Sequence, residues 1–140
     1  MTKEIMVSVS GIQFEIEPSE PVELITVGDY YNKNGKHYIF YDESDMEDGL
    51  TKNRIKIAPG KIEVVKSGAT NAQMIFEEGK TNLTYYDTAM GSLLMGVTTS
   101  SIQLKEEEHR IRAKVNYSLE VNYNHISNCE ITINVKSRAS

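Results

Sequence analysis

The side chains of this sequence with chemistry to offer are a run of carboxylates, three histidines, one cysteine and eight tyrosines. The run Asp42-Glu43-Ser44-Asp45-Met46-Glu47-Asp48-Gly49 holds five carboxylates in seven positions up to Asp48. A hard cation such as Ca²⁺ takes six to eight oxygen ligands, so such a run invites that reading. The spacing of a calcium loop fails here. Counting from Asp42, the third and fifth places are Ser44 and Met46, and Gly49 comes at the eighth place instead of the sixth. The run therefore reads first as a solvated loop, whose like charges also guard a strand edge against pairing with other chains.

His37, His109 and His125 form no H-x-x-x-H or H-E-x-x-H arrangement, so no zinc motif is present. His37 follows the turn signal Asn34-Gly35, and the other two flank turns, which points to surface or strand-end roles. Cys129 alternates with Ile131 and Ile133 and reads as a small buried hydrophobe. A nucleophilic thiol needs a base and a lowered pKa, and no motif here supplies either. GxGxxG, GxSxG and P-loop signatures are absent, and Gly96 is followed by Val97 instead of the Walker lysine. No catalytic residue, metal site or cofactor is expected.

Alternation gives Glu43 a more specific place. It falls on the same strand face as His37, Ile39 and Tyr41. If that face looks inward, Glu43 becomes a buried or rim carboxylate that needs a cation, and Arg54 is the partner expected. The plainer reading leaves Glu43 at a wet barrel mouth. Tyrosine is the enriched aromatic, eight against three Phe and no Trp. Tyr41, Tyr86 and Tyr117 fall on expected inner faces, each with an apolar body and one hydroxyl. That suits a pocket with a few placed polar groups, and equally a core whose hydroxyls bond to Thr88, Thr98 or the backbone. The candidate ligand-binding residues are thus Tyr41, Glu43, Arg54, Tyr86, Thr88 and Tyr117.

Length and composition bound the rest. The chain has 140 residues, with 15 Lys+Arg against 20 Asp+Glu, a net charge of −5. The length suits one domain spanning 1–140. A chain this size buries roughly 68% of its extended surface and needs no disulfide or zinc staple. The acidic balance lacks the basic footprint of a nucleic-acid binder. Basic residues alternate along neighbouring segments (Lys52, Arg54, Lys56, Lys61, Lys66; Arg110, Arg112, Lys114), which reads as an ordinary charged outer face. No apolar run approaches a membrane span. The start carries no apolar region of signal-peptide type, so a cytoplasmic location and no membrane partner are expected. Self-association is left open.

The elements that must position these residues are strands. From Ile111 the apolar positions run Ile111, Ala113, Val115, Tyr117, Leu119 and Val121, with Arg112, Lys114, Asn116, Ser118 and Glu120 between them. Period-two alternation of this kind is a half-buried strand with one wet face. Cys129 to Lys136 and Ile12 to Glu17 repeat the pattern. Turn signals at Asn34-Gly35, Pro59-Gly60, Ser67-Gly68, Glu78-Gly79 and Met90-Gly91 cut the chain. The result is about ten strands, at roughly 3–17, 22–32, 36–44, 50–58, 61–67, 70–77, 81–88, 91–105, 109–123 and 127–137. The connections are too short for parallel crossovers, so neighbours pair as hairpins. Closing such a meander removes its edges. The expected fold is all-β, a single antiparallel up-and-down barrel of about eight to ten strands. Its inward residues should include Phe14, Ile16, Ile39, Tyr41, Ile55, Ile57, Ile62, Val64, Met74, Phe76, Tyr86, Leu94, Val115, Tyr117, Leu119, Ile131 and Ile133.

Several strings carry a family likeness. Gly28-Asp29-Tyr30-Tyr31 with Tyr38-Ile39-Phe40-Tyr41-Asp42-Glu43-Ser44, then Phe76-Glu77-Glu78-Gly79, Tyr86-Asp87-Thr88, Gly91, Thr98 and Tyr117-Ser118-Leu119, follow in order. In these the chain resembles the uncharacterised YwiB-like β-barrel family of Gram-positive bacteria. It departs at Thr88-Ala89-Met90-Gly91, where the family pattern reads Thr-Pro-Tyr-Gly, near Glu107-Glu108, where that pattern has a Gly pair, and at Asn53, where it has Thr. The resemblance implies a calycin-like (lipocalin-like) barrel of bacterial cytosolic origin and brings no activity with it.

Three functions fit. The first is a non-catalytic binding module for a small, partly apolar ligand at the mouth or lumen. The second is a structural or protein-interaction barrel with a side-chain-filled core. The third is an enzyme with a Glu43-centred site.

Overall fold

The described turns between strands are built from residues that can take the backbone they need. In the computed structural model, which describes residues 3–11, 23–45, 49–68, 71–88 and 91–138, ten strands follow one another. They are β1 (Glu4–Ser10), β2 (Glu23–Lys33), β3 (Lys36–Asp45), β4 (Gly49–Ala58), β5 (Lys61–Gly68), β6 (Ala72–Glu77), β7 (Thr81–Thr88), β8 (Gly91–Glu106), β9 (Arg110–Val121) and β10 (Asn124–Ser137). Asn34 and Gly35 take φ of 54° and 76°, the paired left-handed conformation of a two-residue hairpin turn. Pro59 precedes Gly60 at φ 70°, as a type II turn requires. The β9–β10 turn uses Asn122 and Tyr123 at φ 50° and 69°. Tyr123 lacks glycine's freedom and holds this backbone at a cost. So tight a turn starts β10 earlier than expected.

All pairings are antiparallel, and the strand order is β6-β5-β4-β3-β2-β1-β10-β9-β8-β7. The sheet curls into a nearly closed barrel. Among the described residues no ladder joins β6 to β7. Instead the turn between them bonds to β8, with Gly79 N–H donating to the Thr99 carbonyl at 2.9 Å and Thr99 N–H to that of Lys80 at 3.1 Å.

Inward positions are those alternation demands. Ile5, Val7, Ile39, Ile55, Ile57, Ile62, Val64, Met74, Phe76, Val115, Ile131 and Val135 are all but fully buried in one cluster. The interior is a packed core through its middle. The expected inward faces hold for most of the chain; Phe14 and Ile16 lie outside the described residues. Leu94 is the exception. It is half-buried, while Met95, Val97 and Thr99 point in. A bulge at Ser100 shifts the β8 register between Thr99 and Ser101, so the inward frame changes parity along the strand, as it also does near the start of β10 between His125 and Ser127. Gly28 on β2 faces the core where there is no room for a side chain. A Cβ there would come 2.5 Å from the Phe40 carbonyl oxygen, which explains a glycine inside a strand.

Candidate functional site

Alternation carried along β3, β4 and β5 brings inward-facing polar side chains together at one end of the barrel. This is the end at which the β3–β4 and β5–β6 connections lie. Tyr41 is in register with Asn53, and Asn53 with Lys66. Glu43, one inward step beyond Tyr41, is opposite Thr51. Lys66 follows Ile62 and Val64 on the inner face of β5, so its ammonium is drawn into the mouth, with the side chain 11% exposed. There it donates to Glu43 Oε1 at 2.5 Å and to Asn53 Oδ1 at 2.8 Å. A largely buried ammonium requires such partners, because its desolvation costs several kcal/mol.

Asn53 is 2% exposed. Its Oδ1 is taken by Lys66, and its Nδ2 meets no acceptor among the described residues. A buried amide donor with no acceptor costs about 1–3 kcal/mol. Tyr41 is equally buried. Burial first, then the Glu43 carboxylate, push its hydroxyl well above the usual tyrosine range. Further in, Thr99 and Tyr117 face each other across β8 and β9. Both are buried, and among the described residues neither Thr99 Oγ1 nor the Tyr117 hydroxyl makes a hydrogen bond of good geometry. Burial, then the nearby Cys129 sulfur, push the Tyr117 hydroxyl upward as well. The Phe76 ring packs on that of Tyr117 at 4.9 Å. Cys129 is half-buried against the core, 3.2 Å from Ser127 Oγ.

The opposite end carries a second polar group. Tyr30 and His37 face inward from β2 and β3. His37 Nδ1 lies 2.6 Å from the Tyr30 hydroxyl and Nε2 lies 2.6 Å from Glu106 Oε1. With the ring proton on Nε2, His37 donates to Glu106 and accepts from Tyr30. Four strands separate β3 from β8 in either direction around the sheet. The His37–Glu106 bond therefore spans this end of the lumen.

The expected site residues divide. Tyr41 and Glu43 belong to the mouth group. Tyr86 is half-buried against the core from β7, and Tyr117 lies deeper. Thr88 pairs through its backbone with Gly91, and its side chain lies outside the described residues. Arg54 does not join them. It is on the outer face of β4, where Nη2 donates to Glu63 Oε1 at 2.8 Å. Strict alternation separates Arg54 from Glu43, and the partner of Glu43 is Lys66. Counting by twos from Ile62 marks Lys66 as inward, and counting back from Ile57 and Ile55 marks Asn53 and Thr51. His37 takes an inward bridging place instead of a surface one, whereas His109 and His125 are exposed. Much of the Asp42–Asp48 run lies outside the described residues.

The same frame recurs in known proteins. Residues 7–133 match the model of a domain of unknown function, DUF1934. The chain belongs to the DUF1934 family. The uncharacterized β-barrel protein YwiB of Bacillus subtilis (strain 168) is 32% identical over 116 residues, covering 81% of this chain and 80% of its own. The crystal structure of the ywiB protein from Bacillus subtilis matches with a TM-score of 0.80 at 26% identity. The match covers 98% of this chain and 93% of that one. For this DUF1934 chain the likeness shows a bacterial type of uncharacterised barrel, and the described residues hold no helix long and apolar enough to cross a membrane.

Proposed function

We propose that this DUF1934 chain is a non-catalytic binding barrel. It takes a small, partly apolar ligand bearing a hydrogen-bond acceptor, at the mouth formed by Tyr41, Glu43, Asn53 and Lys66. The observation that carries the reading is Asn53 Nδ2, a buried donor without an acceptor among the described residues, beside a partly buried ion pair. Side chains occupy the middle of the lumen, so the ligand sits at the mouth and not deep inside. Glu43 is committed to Lys66, which suits binding better than acid–base work. The outer face carries charges on several strands, among them Lys52, Lys61, Arg112 and Glu130. This supports a water-exposed barrel of the cytoplasm over one facing lipid, whose outer band is apolar.

Native mass spectrometry of protein purified from its own host tests this. The wild type is expected to carry an added small-molecule mass that Asn53→Leu loses while still melting cooperatively. A wild type without added mass, or the same mass on the variant, overturns the reading.

The packed core favours a second reading, a structural barrel acting through its outside. It predicts no retained small molecule and a protein partner that survives Asn53→Leu.

A further inference from the structure

On the outside of the barrel, far around the sheet from the Tyr41–Lys66 mouth, β8, β9 and β10 present a cationic surface. Outward positions on adjacent strands align Lys105 with Arg112, Gln103 with Lys114, Lys114 with Thr132, and Arg110 with Lys136. Two of these pairs set like charges directly opposite each other, an arrangement that destabilises a sheet. Lys105 and Lys114 have carboxylate neighbours, Glu107 at 3.3 Å and Glu130 at 3.6 Å, all well exposed. Arg110, Arg112 and Lys136 make no ion pair among the described residues. The surface is also concave. A cavity of about 420 Å³ is lined by Gln103, Leu104, Lys105, Arg112, Lys114 and Thr132. That volume lies in the range of small-molecule sites. A chain with a net charge of −5 has thus gathered five cations on three neighbouring strands, against the cost of their repulsion.

We propose that this outer groove is an anion site for a ligand with a short chain of phosphate groups. Arg112 is at its centre, between Lys105 on the same ladder rung and Lys114 two residues along, on the same face. A guanidinium offers a planar fork that meets two phosphate oxygens at once, and the flanking ammonium groups act as point charges. Along a strand, same-face positions are about 7 Å apart, and across the ladder about 5 Å. Linked phosphates meet all three cations with their charged ends kept apart, whereas a single phosphate would have to draw three like charges together. Gln103 and Thr132 add uncharged hydrogen-bonding groups at the rim. The same chemistry is found in inorganic oligophosphate and in a nucleoside triphosphate.

Calorimetric titration with tripolyphosphate, ATP and orthophosphate tests this on the full chain. Tripolyphosphate is expected to bind saturably at one site, more tightly than orthophosphate. Arg112→Glu should weaken it about tenfold or more, and added salt should weaken it further. Lys52→Glu, an exposed reversal on β4, should leave it unchanged. Both positions are on the surface, so a thermal melt confirms that each variant folds. ATP binding more tightly than tripolyphosphate identifies a nucleotide site, and equal binding identifies a site that reads only the phosphate chain. No saturable binding, equal loss in both variants, or tighter binding of an oligoglutamate peptide overturns the proposal. Asn53→Leu is expected to leave this titration unaltered, so its outcome is separate from that of the mouth.

Discussion

Both ends of the lumen hold a polar cluster, but they are satisfied differently. At the His37 end each hydrogen-bonding group has a partner: Tyr30 to His37, His37 to Glu106, and a long contact from Asn32 Nδ2 to the Tyr30 hydroxyl at 3.4 Å. At the Lys66 end the charges are paired, yet Asn53 Nδ2 has no acceptor among the described residues. The satisfied cluster straps opposite walls together and so has a structural explanation. The unsatisfied one lies within three adjacent strands, β3 to β5, which are already joined by their ladders. It adds no closure to the barrel and keeps a desolvated donor. Unsatisfied buried groups invite a functional reading, and this contrast is why the mouth at Lys66 is assigned the ligand.

Removing Glu43 should break the contrast most severely. Glu43→Ala leaves the Lys66 ammonium without its carboxylate in a mouth that exposes 11% of its side chain, with its bond to Asn53 Oδ1 retained. Stripping one partner from a buried pair costs about 3–5 kcal/mol, and the partial exposure of Glu43 places this case at about 3 kcal/mol. Replacing both groups by apolar ones, Glu43→Leu with Lys66→Met, should recover most of that loss. Denaturant unfolding of the single and double variants measures both. A double variant as unstable as Glu43→Ala would show that the ion pair is not what holds this end.

Alkaline pH is the next test, and it separates the interior from the surface. Tyr41 and Tyr117 both have raised hydroxyl pKa values, through burial above all. A group raised in the folded state contributes stability that is complete below its unfolded pKa and is lost as pH rises toward its folded one. For tyrosine the unfolded value is about 10. Stability should therefore hold up to about pH 10 and fall steadily above it. Tyr41→Phe should flatten part of that fall. Tyrosinate absorbance during the titration should rise in two stages, exposed tyrosines first and the buried pair only on unfolding. A single smooth rise with no unfolding overturns the expectation.

These contrasts also show what a linear sequence discloses. The strand from Ile111 to Val121 and the turns at Asn34-Gly35 and Pro59-Gly60 were legible, because period two and positive φ are local properties. The barrel followed from short connections. Alternation also contained the inward places of Lys66 and Asn53 and the outward place of Arg54. A charge-based choice of partner for Glu43 overrode it, and the parity of the strands was the better guide. The inner frame of β8 was not legible, since the bulge at Ser100 resets it and no residue type announces a bulge. Nor was the strap, whose two ends, His37 and Glu106, are 69 residues apart. The charge density of Glu106-Glu107-Glu108 suits a solvated tip, and all three are exposed, but nothing in the run marks Glu106 as the one that bonds to His37.

The smallest effect is expected at that strap. Glu106 is half in water, its side chain 53% exposed against 13% for His37. A hydrogen bond to so exposed a carboxylate is worth about 0–1 kcal/mol, because water solvates the separated groups nearly as well. Glu106→Ala should therefore lower global stability by less than about 1 kcal/mol, a fraction of the Glu43→Ala effect. Its consequence should be local. Losing the bond across the lumen frees the β2–β3 hairpin from β8, so amides from Tyr30 to Ile39 should exchange with solvent faster, while those of β9 and β10 stay protected. Glu106→Gln retains an acceptor for His37 Nε2 and should leave exchange near the wild-type rate. If Glu106→Ala costs as much as Glu43→Ala, the strap is as buried in solution as the mouth pair, and the difference drawn between the two ends disappears.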